Sequence, residues 1–154
     1  MGANTYRLMY GFASAAEASD EEENAEAGAM AELTRQPKIV FSSTLTAPLA
    51  WANAKLVSGD PVEAVAAMKQ SGTNMSTLGS LTLCRSLLAA GLVDRFRVGV
   101  FPVITGKTGR ERIYDGYPDV ALDMVLSRTF DGKIQLLEYV PRVLAGPPAA
   151  ADAS

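Results

Sequence analysis

The chain of 154 residues contains no histidine. Imidazole is the commonest general base at neutral pH and a leading metal ligand, so Ser-His-Asp triads and zinc sites are excluded. The zinc-deaminase pattern, His-x-Glu with Pro-Cys-x-x-Cys, is absent for the same reason. Cysteine occurs once, at Cys84, so no internal disulfide can form, in keeping with a reducing compartment. Apolar runs all stop well short of the roughly 18 residues that cross a bilayer, and no basic-then-apolar leader follows Met1. No membrane partner is expected, and the cytoplasm is the expected location.

A dense basic face is missing too. The net charge is −3, and six of the 17 acids (Glu17, Asp20, Glu21, Glu22, Glu23 and Glu26) fall within ten residues. The rest carries 11 acids against 14 bases. That mildly basic body suits a small phosphorylated ligand better than a nucleic acid, so no nucleic-acid partner is expected.

What remains is 48 % apolar and 20 % charged, the composition of a folding globular chain. Its length suits one domain, assigned to residues 1–144, and the AGPPAAADAS tail at 145–154 is expected to be disordered. Tyr6 and Met9, with Leu8 and Phe12, are spaced for a short opening helix capped by Asn4 or Thr5. Residues 13–23 read as an acidic surface loop and 24–33 as a brief helix. KIVFS at 38–42 and the shorter run at 54–57 read as strands, the first buried on both faces. Asp60 and Pro61 open a helix with Val62, Val65 and Met68 on one face, which ends at Gly72. A strand at 75–78 and a helix at 80–90 follow, with Leu83, Leu87 and Leu88 buried and Gly91 as the cap. Residues 96–104 read as a long strand in which Pro102 implies a bulge or an edge. The runs 120–130 and 133–140 form a hairpin turning at Asp131-Gly132. Strands alternating with helices, then a closing hairpin, predict an α/β chain.

Chemistry concentrates at TLGSLTLCRSLL, where a strand turns through Gly79-Ser80 into a helix. Glycine there lets a phosphate reach the backbone, and the helix start offers free amides and positive potential. A simple tight turn explains the same geometry. Gly106-Lys107-Thr108-Gly109 lacks the Gly-to-Gly-Lys-Ser/Thr spacing of a phosphate loop, which excludes a nucleotide hydrolase of that type. Cys84, with no histidine to activate it, reads as a packed small hydrophobe. Trp51 reads as core, with an aromatic wall over a ring-shaped ligand as the other reading.

Four blocks occur in order: KIVFSSTL, WANAKLVSGDPVEAV, LGSLTLCRSLLAAGLVDRFRV and VFPVITG. Together they resemble the C-terminal reductase domain of riboflavin-biosynthesis deaminase-reductases, in the dihydrofolate reductase-like superfamily. The resemblance spans residues 2–141. It implies a three-layer dihydrofolate reductase-like fold with a mostly parallel central sheet and a C-terminal antiparallel hairpin. It also implies NADPH as cofactor and hydride transfer to a pyrimidine- or pteridine-like heterocycle, as in 5-amino-6-(5-phosphoribosylamino)uracil reductases. Carried over by position, Gly79 and Ser80 match the pyrophosphate-binding pair, and Leu81 begins its helix. Ser42, Ser43 and Thr44 match the loop near the adenosine 2′-phosphate; a hydroxyl-rich strand end is the other reading. Gly2 and Thr5 match a Gly-Arg-x-Thr segment, whose amides also meet cofactor phosphates. Ala3 stands where many relatives carry Arg, which removes a bidentate phosphate donor and weakens the preference for NADPH over NADH. Thr105, Gly106 and Lys107 match a stretch near the cofactor pocket. No residue is identified as the proton donor.

Relatives begin with a central strand and a Ser-x-Asp-Gly-like turn, which have no counterpart before Gly2. The first central strand is therefore expected to be missing, leaving the chain alone aggregation-prone or its open edge covered by a partner subunit, as in a homodimer. The same absence keeps open a second function: a non-catalytic relative that binds a nucleotide or another subunit.

Overall fold

The computed structural model describes residues 1–18, 25–108 and 114–146. The chain divides into two compact units, Met1–Cys84 and Arg85–Ser154. Most of the expected tail, and the acidic residues Asp20 to Glu23, lie outside the described residues.

The first unit opens with helix α1 (Ala3–Ala18) and helix α2 (Ala25–Arg35). The expected short helix with a loop at 13–23 is corrected: α1 runs through Ala13, Ala15, Ala16 and Ala18. Alanine has the highest helix propensity, so nothing in that stretch stops the helix. Asn4 and Thr5 are consequently inside α1 rather than capping it.

Strands β1 (Lys38–Phe41) and β2 (Ala54–Val57) pair in parallel, with Val40 opposite Leu56. On its other edge β1 meets the residues just before α1. The Met1 amino group donates to the Ile39 carbonyl at 2.8 Å, and Phe41 donates to the Met1 carbonyl at 2.9 Å. Gly2 thereby bridges Phe41 in parallel. Burial holds the Met1 amine below its ordinary pKa.

The core gathers Tyr6 and Ala13 of α1, Val40 of β1, and Trp51. Trp51 is only 3 % exposed, so it is core and not a wall over a ligand. Its indole donates to the Thr34 hydroxyl at 3.0 Å, and its amide donates to the Tyr6 hydroxyl at 3.2 Å. Both polar handles of the aromatic pair are thus satisfied. Lys38 is buried beside them; its ammonium donates to the carbonyls of Leu33, Thr34 and Gln36 and lies 4.7 Å from the Trp51 ring centre. It thus satisfies carbonyls that the end of α2 leaves without helical partners.

Helix α3 (Pro61–Gln70) matches its sequence reading at both ends: Asp60 accepts from the Val62 amide at 2.7 Å, and Gly72 sits at φ +76°. The strand expected at 75–78 is corrected, since no ladder forms there. Met75 and Leu78 are both exposed, so the segment has no buried face to hold it in a sheet.

Helix α4 (Leu81–Ala89) buries Leu83, Leu87 and Leu88. Gly91, at φ +66°, closes it with amide bonds from Gly91 to Leu88 and from Leu92 to Leu87, the 5→2 and 6→1 bonds, respectively, of a Schellman end.

In the second unit, β3 (Phe96–Val100), β4 (Val120–Phe130) and β5 (Ile134–Val143) form an antiparallel sheet in the order β3-β5-β4. Asp131 and Gly132, at φ +50° and +64°, make the expected hairpin turn, which the Lys133 amide closes on the Phe130 carbonyl. The strand expected at 96–104 stops at Val100, because Pro102 supplies no amide for a ladder and the Val103 amide turns back to the Phe101 carbonyl.

The mixed α/β class holds. The expectation of a mostly parallel sheet is corrected: among the described residues, parallel pairing is confined to β1, β2 and the Gly2 bridge, while three strands pair antiparallel. Segment 75–78 adds no further parallel strand.

Candidate site at two abutting helix starts

The first unit brings together Gly2, Thr5, Gly79 and Ser80, four residues singled out in the sequence. They occupy the starts of α1 and α4. The two helix starts touch through a reciprocal pair of glycines. A β-carbon on Gly2 would lie 2.8 Å from the Ser80 hydroxyl oxygen. One on Gly79 would lie 2.8 Å from both Cγ2 and Oγ1 of Thr5. The close approach therefore requires hydrogen at both positions. At Gly79 the backbone adds its own demand, with φ at +62°.

Ser80 follows in the same left-handed region, at φ +60°. Its carbonyl accepts the Cys84 amide at 3.0 Å and its hydroxyl accepts the Leu83 amide at 3.4 Å, so it caps α4. Helix starts leave amides without helical partners. Among the described residues, the amides of Asn4 and Thr5 on α1, and of Gly79, Ser80 and Leu81 before and within α4, have no hydrogen-bond partner. Two positive helix ends and five donors are thus concentrated around one glycine-lined contact, a chemistry suited to a polyanion.

Cys84 lies under this turn. Its sulfur approaches the Gly79 carbonyl at 3.7 Å and the Thr77 hydroxyl at 3.5 Å. The thiol packs against the loop, and the Met1 amino group interacts with it electrostatically.

Ser42, Ser43 and Thr44 follow β1. The Ser42 hydroxyl accepts the amides of Thr44 and Leu45, at 3.0 and 3.1 Å, and lies 3.2 Å from the Thr44 hydroxyl. It thus fixes the loop, leaving Ser43 and Thr44 exposed. The Phe41 and Met1 pairing joins β1 to the start of α1, so this loop leaves the sheet beside the strand edge that carries Gly2. Thr105, Gly106 and Lys107 belong to the second unit, where all three are exposed. Among the described residues no cluster of His, Cys, Asp or Glu could hold a metal, and no helix is long and apolar enough to cross a membrane.

Residue type and spacing give no sign that Thr5 is the residue against which Gly79 packs. Only the close approach of α1 and the Gly79 turn reveals it.

Comparison with known proteins follows the same lines. No curated protein sequence matches the chain significantly. Among solved structures, a Shewanella sp. PV-4 protein named for riboflavin biosynthesis is similar at TM-score 0.60 and 18 % identity. The match covers 92 % of this chain and 72 % of that one. A pyrimidine reductase-like protein from Corynebacterium diphtheriae aligns at TM-score 0.48 and 16 % identity, over 68 % of this chain and 49 % of that one. Residues 1–136 match the RibD C-terminal domain family, and the chain belongs to that family.

Proposed function

We propose that the chain is a nicotinamide-dependent reductase, with NADPH as cofactor and a pyrimidine- or pteridine-like heterocycle as substrate. The observation that carries this reading is the contact of two helix starts through Gly2 with Ser80 and Gly79 with Thr5, ringed by unpartnered amides. A dinucleotide presents a pyrophosphate that such amides hold without a metal or a cationic side chain. In this reading Gly79, Ser80 and Leu81 hold the pyrophosphate from one side, and Gly2 and Thr5 from the other. Ser42, Ser43 and Thr44 supply hydroxyl donors to the adenosine 2′-phosphate.

The bound nicotinamide supplies the hydride. The chain's part is to fix the dinucleotide so that its ring meets the substrate at reacting distance. Family membership and the names of its structural relatives support a riboflavin-pathway reductase of this class. The cytoplasm is the compartment this reading implies.

Calorimetric titration with NADPH and NADH, followed by loss of nicotinamide absorbance in the presence of pyrimidine substrates, tests it. Heat and turnover are expected, with NADPH bound at least as tightly as NADH. Binding without oxidation selects instead a relative that binds the nucleotide without chemistry. Absence of heat with both dinucleotides overturns the proposal.

A further inference from the structure

Arg85 of α4 carries a charge that its surroundings leave unanswered. Arg35 pairs with Glu32, and Arg95 and Arg97 share Glu138. Among the described residues, no carboxylate or other acceptor meets the Arg85 guanidinium, and its Nε is sealed from solvent without a partner. A buried donor left unmet is costly, and more so on a cation, so an acceptor that reaches the group is favoured.

The groups placed against this side chain are a ring and bare backbone. The guanidinium carbon lies 5.8 Å from the Tyr117 ring centre. Phe96 and Tyr114 pack edge-on to Tyr117, at 6.4 and 6.3 Å, and Tyr114 is 54 % exposed. Gly116 lies alongside at φ +74°; a β-carbon there would sit 3.7 Å from Nη1 and 3.9 Å from the guanidinium carbon. All these residues belong to the second unit. An aromatic face attracts the cation and fixes its place, but it supplies no anionic oxygen.

We propose that Arg85 receives the carboxylate of a small organic ligand, with the exposed Tyr114 ring as an apolar surface for the ligand's hydrocarbon part. The planar guanidinium fork matches the two oxygens of a carboxylate. One fixed positive charge answers one negative charge. Asp115 and Asp119, both exposed, bracket Gly116 and Tyr117 in the chain and oppose the second charge of a phosphate dianion. The site uses none of the residues assigned to the dinucleotide.

The test is a titration of the full chain with acetate, benzoate and inorganic phosphate at constant ionic strength, followed by calorimetry and by the nuclear magnetic resonance signal of the Arg85 Nε–H. Both carboxylates should shift that signal saturably, benzoate at lower concentration than acetate. Arg85→Gln should weaken benzoate binding about tenfold or more, the loss of a charge-assisted hydrogen bond. Arg85→Lys, which keeps the charge without the fork, should fall between parent and glutamine variant. Tyr114→Ala should weaken benzoate and leave acetate unchanged. Circular dichroism checks the fold of each variant; if Arg85→Gln does not fold, the parent titration and the Tyr114→Ala difference decide. The absence of a saturable shift with either carboxylate overturns the proposal. So does phosphate bound more tightly than both, or benzoate affinity that a folded Arg85→Gln leaves unchanged.

Discussion

Gly79 and Thr5 stand so close that a β-carbon at position 79 would overlap the threonine side chain, at 2.8 Å from both of its branches. Gly79→Ala meets two penalties. A left-handed φ costs a residue with a β-carbon roughly 1–2 kcal/mol, and overpacking adds about 1–3 kcal/mol. Denaturant unfolding should therefore show a loss of about 2–5 kcal/mol. Where the variant still folds, the two helix starts are wedged apart, and calorimetry should show weakened dinucleotide binding. Unchanged stability would mean that the helix starts are not in contact.

Ser80 presents the opposite case. It takes the same left-handed backbone without being glycine, at φ +60°, and its capping bond to Leu83 is long, at 3.4 Å. Ser80→Gly relieves about 1 kcal/mol of backbone strain and loses only a few tenths as a cap, so stability should hold or rise. Ser80→Ala keeps the strain and loses the cap, at a cost of about 0.5–1 kcal/mol. The ordering Gly above Ser above Ala in thermal unfolding checks the argument; an alanine variant as stable as the glycine one would contradict it.

These two residues also show how far the sequence could be read. Local rules carried the elements whose signals are local: Asp60 and Pro61 at the start of α3, Gly91 after α4, and Asp131-Gly132 between β4 and β5 were each legible from residue type alone. The strand expected at 75–78 failed because sheet formation needs a partner edge, and residue type does not supply one. Pro102 signals a bulge or an edge, and β3 does lie at the edge of its sheet among the described residues, but the strand ends before the proline. For the site, Gly2, Thr5, Gly79 and Ser80 could be named one by one. That the glycines face Ser80 and Thr5 depends on packing between segments more than 70 positions apart, which no spacing rule encodes.

The hairpin turn offers a test away from the site. Asp131 and Gly132 both have positive φ. Replacing Gly132 with Val puts a β-branched side chain in the left-handed region and should cost about 1–2 kcal/mol. Asp131→Asn restores the residue most often found there and should leave stability unchanged or slightly raised. Urea unfolding of both variants measures the difference, and an equal loss in the two would argue against the turn geometry.

Lys38 gives a pH-dependent prediction. Burial disfavours its ammonium form and lowers its pKa from the ordinary 10.5, even though three carbonyls accept its protons. Between the lowered value and 10.5 the unfolded chain binds more protons at this residue than the folded one. Linkage then fixes the sign: this residue's contribution to stability rises with pH across that alkaline window and is level below it. Lys38→Met keeps a side chain of similar length but leaves the carbonyls of Leu33, Thr34 and Gln36 without their donor. That should cost about 1–3 kcal/mol at neutral pH. Unfolding of parent and variant from neutral to strongly alkaline pH should show the parent gaining on the variant only in the alkaline window. A constant difference across the whole range would mean that Lys38 titrates alike in both states, and that burial has not shifted it.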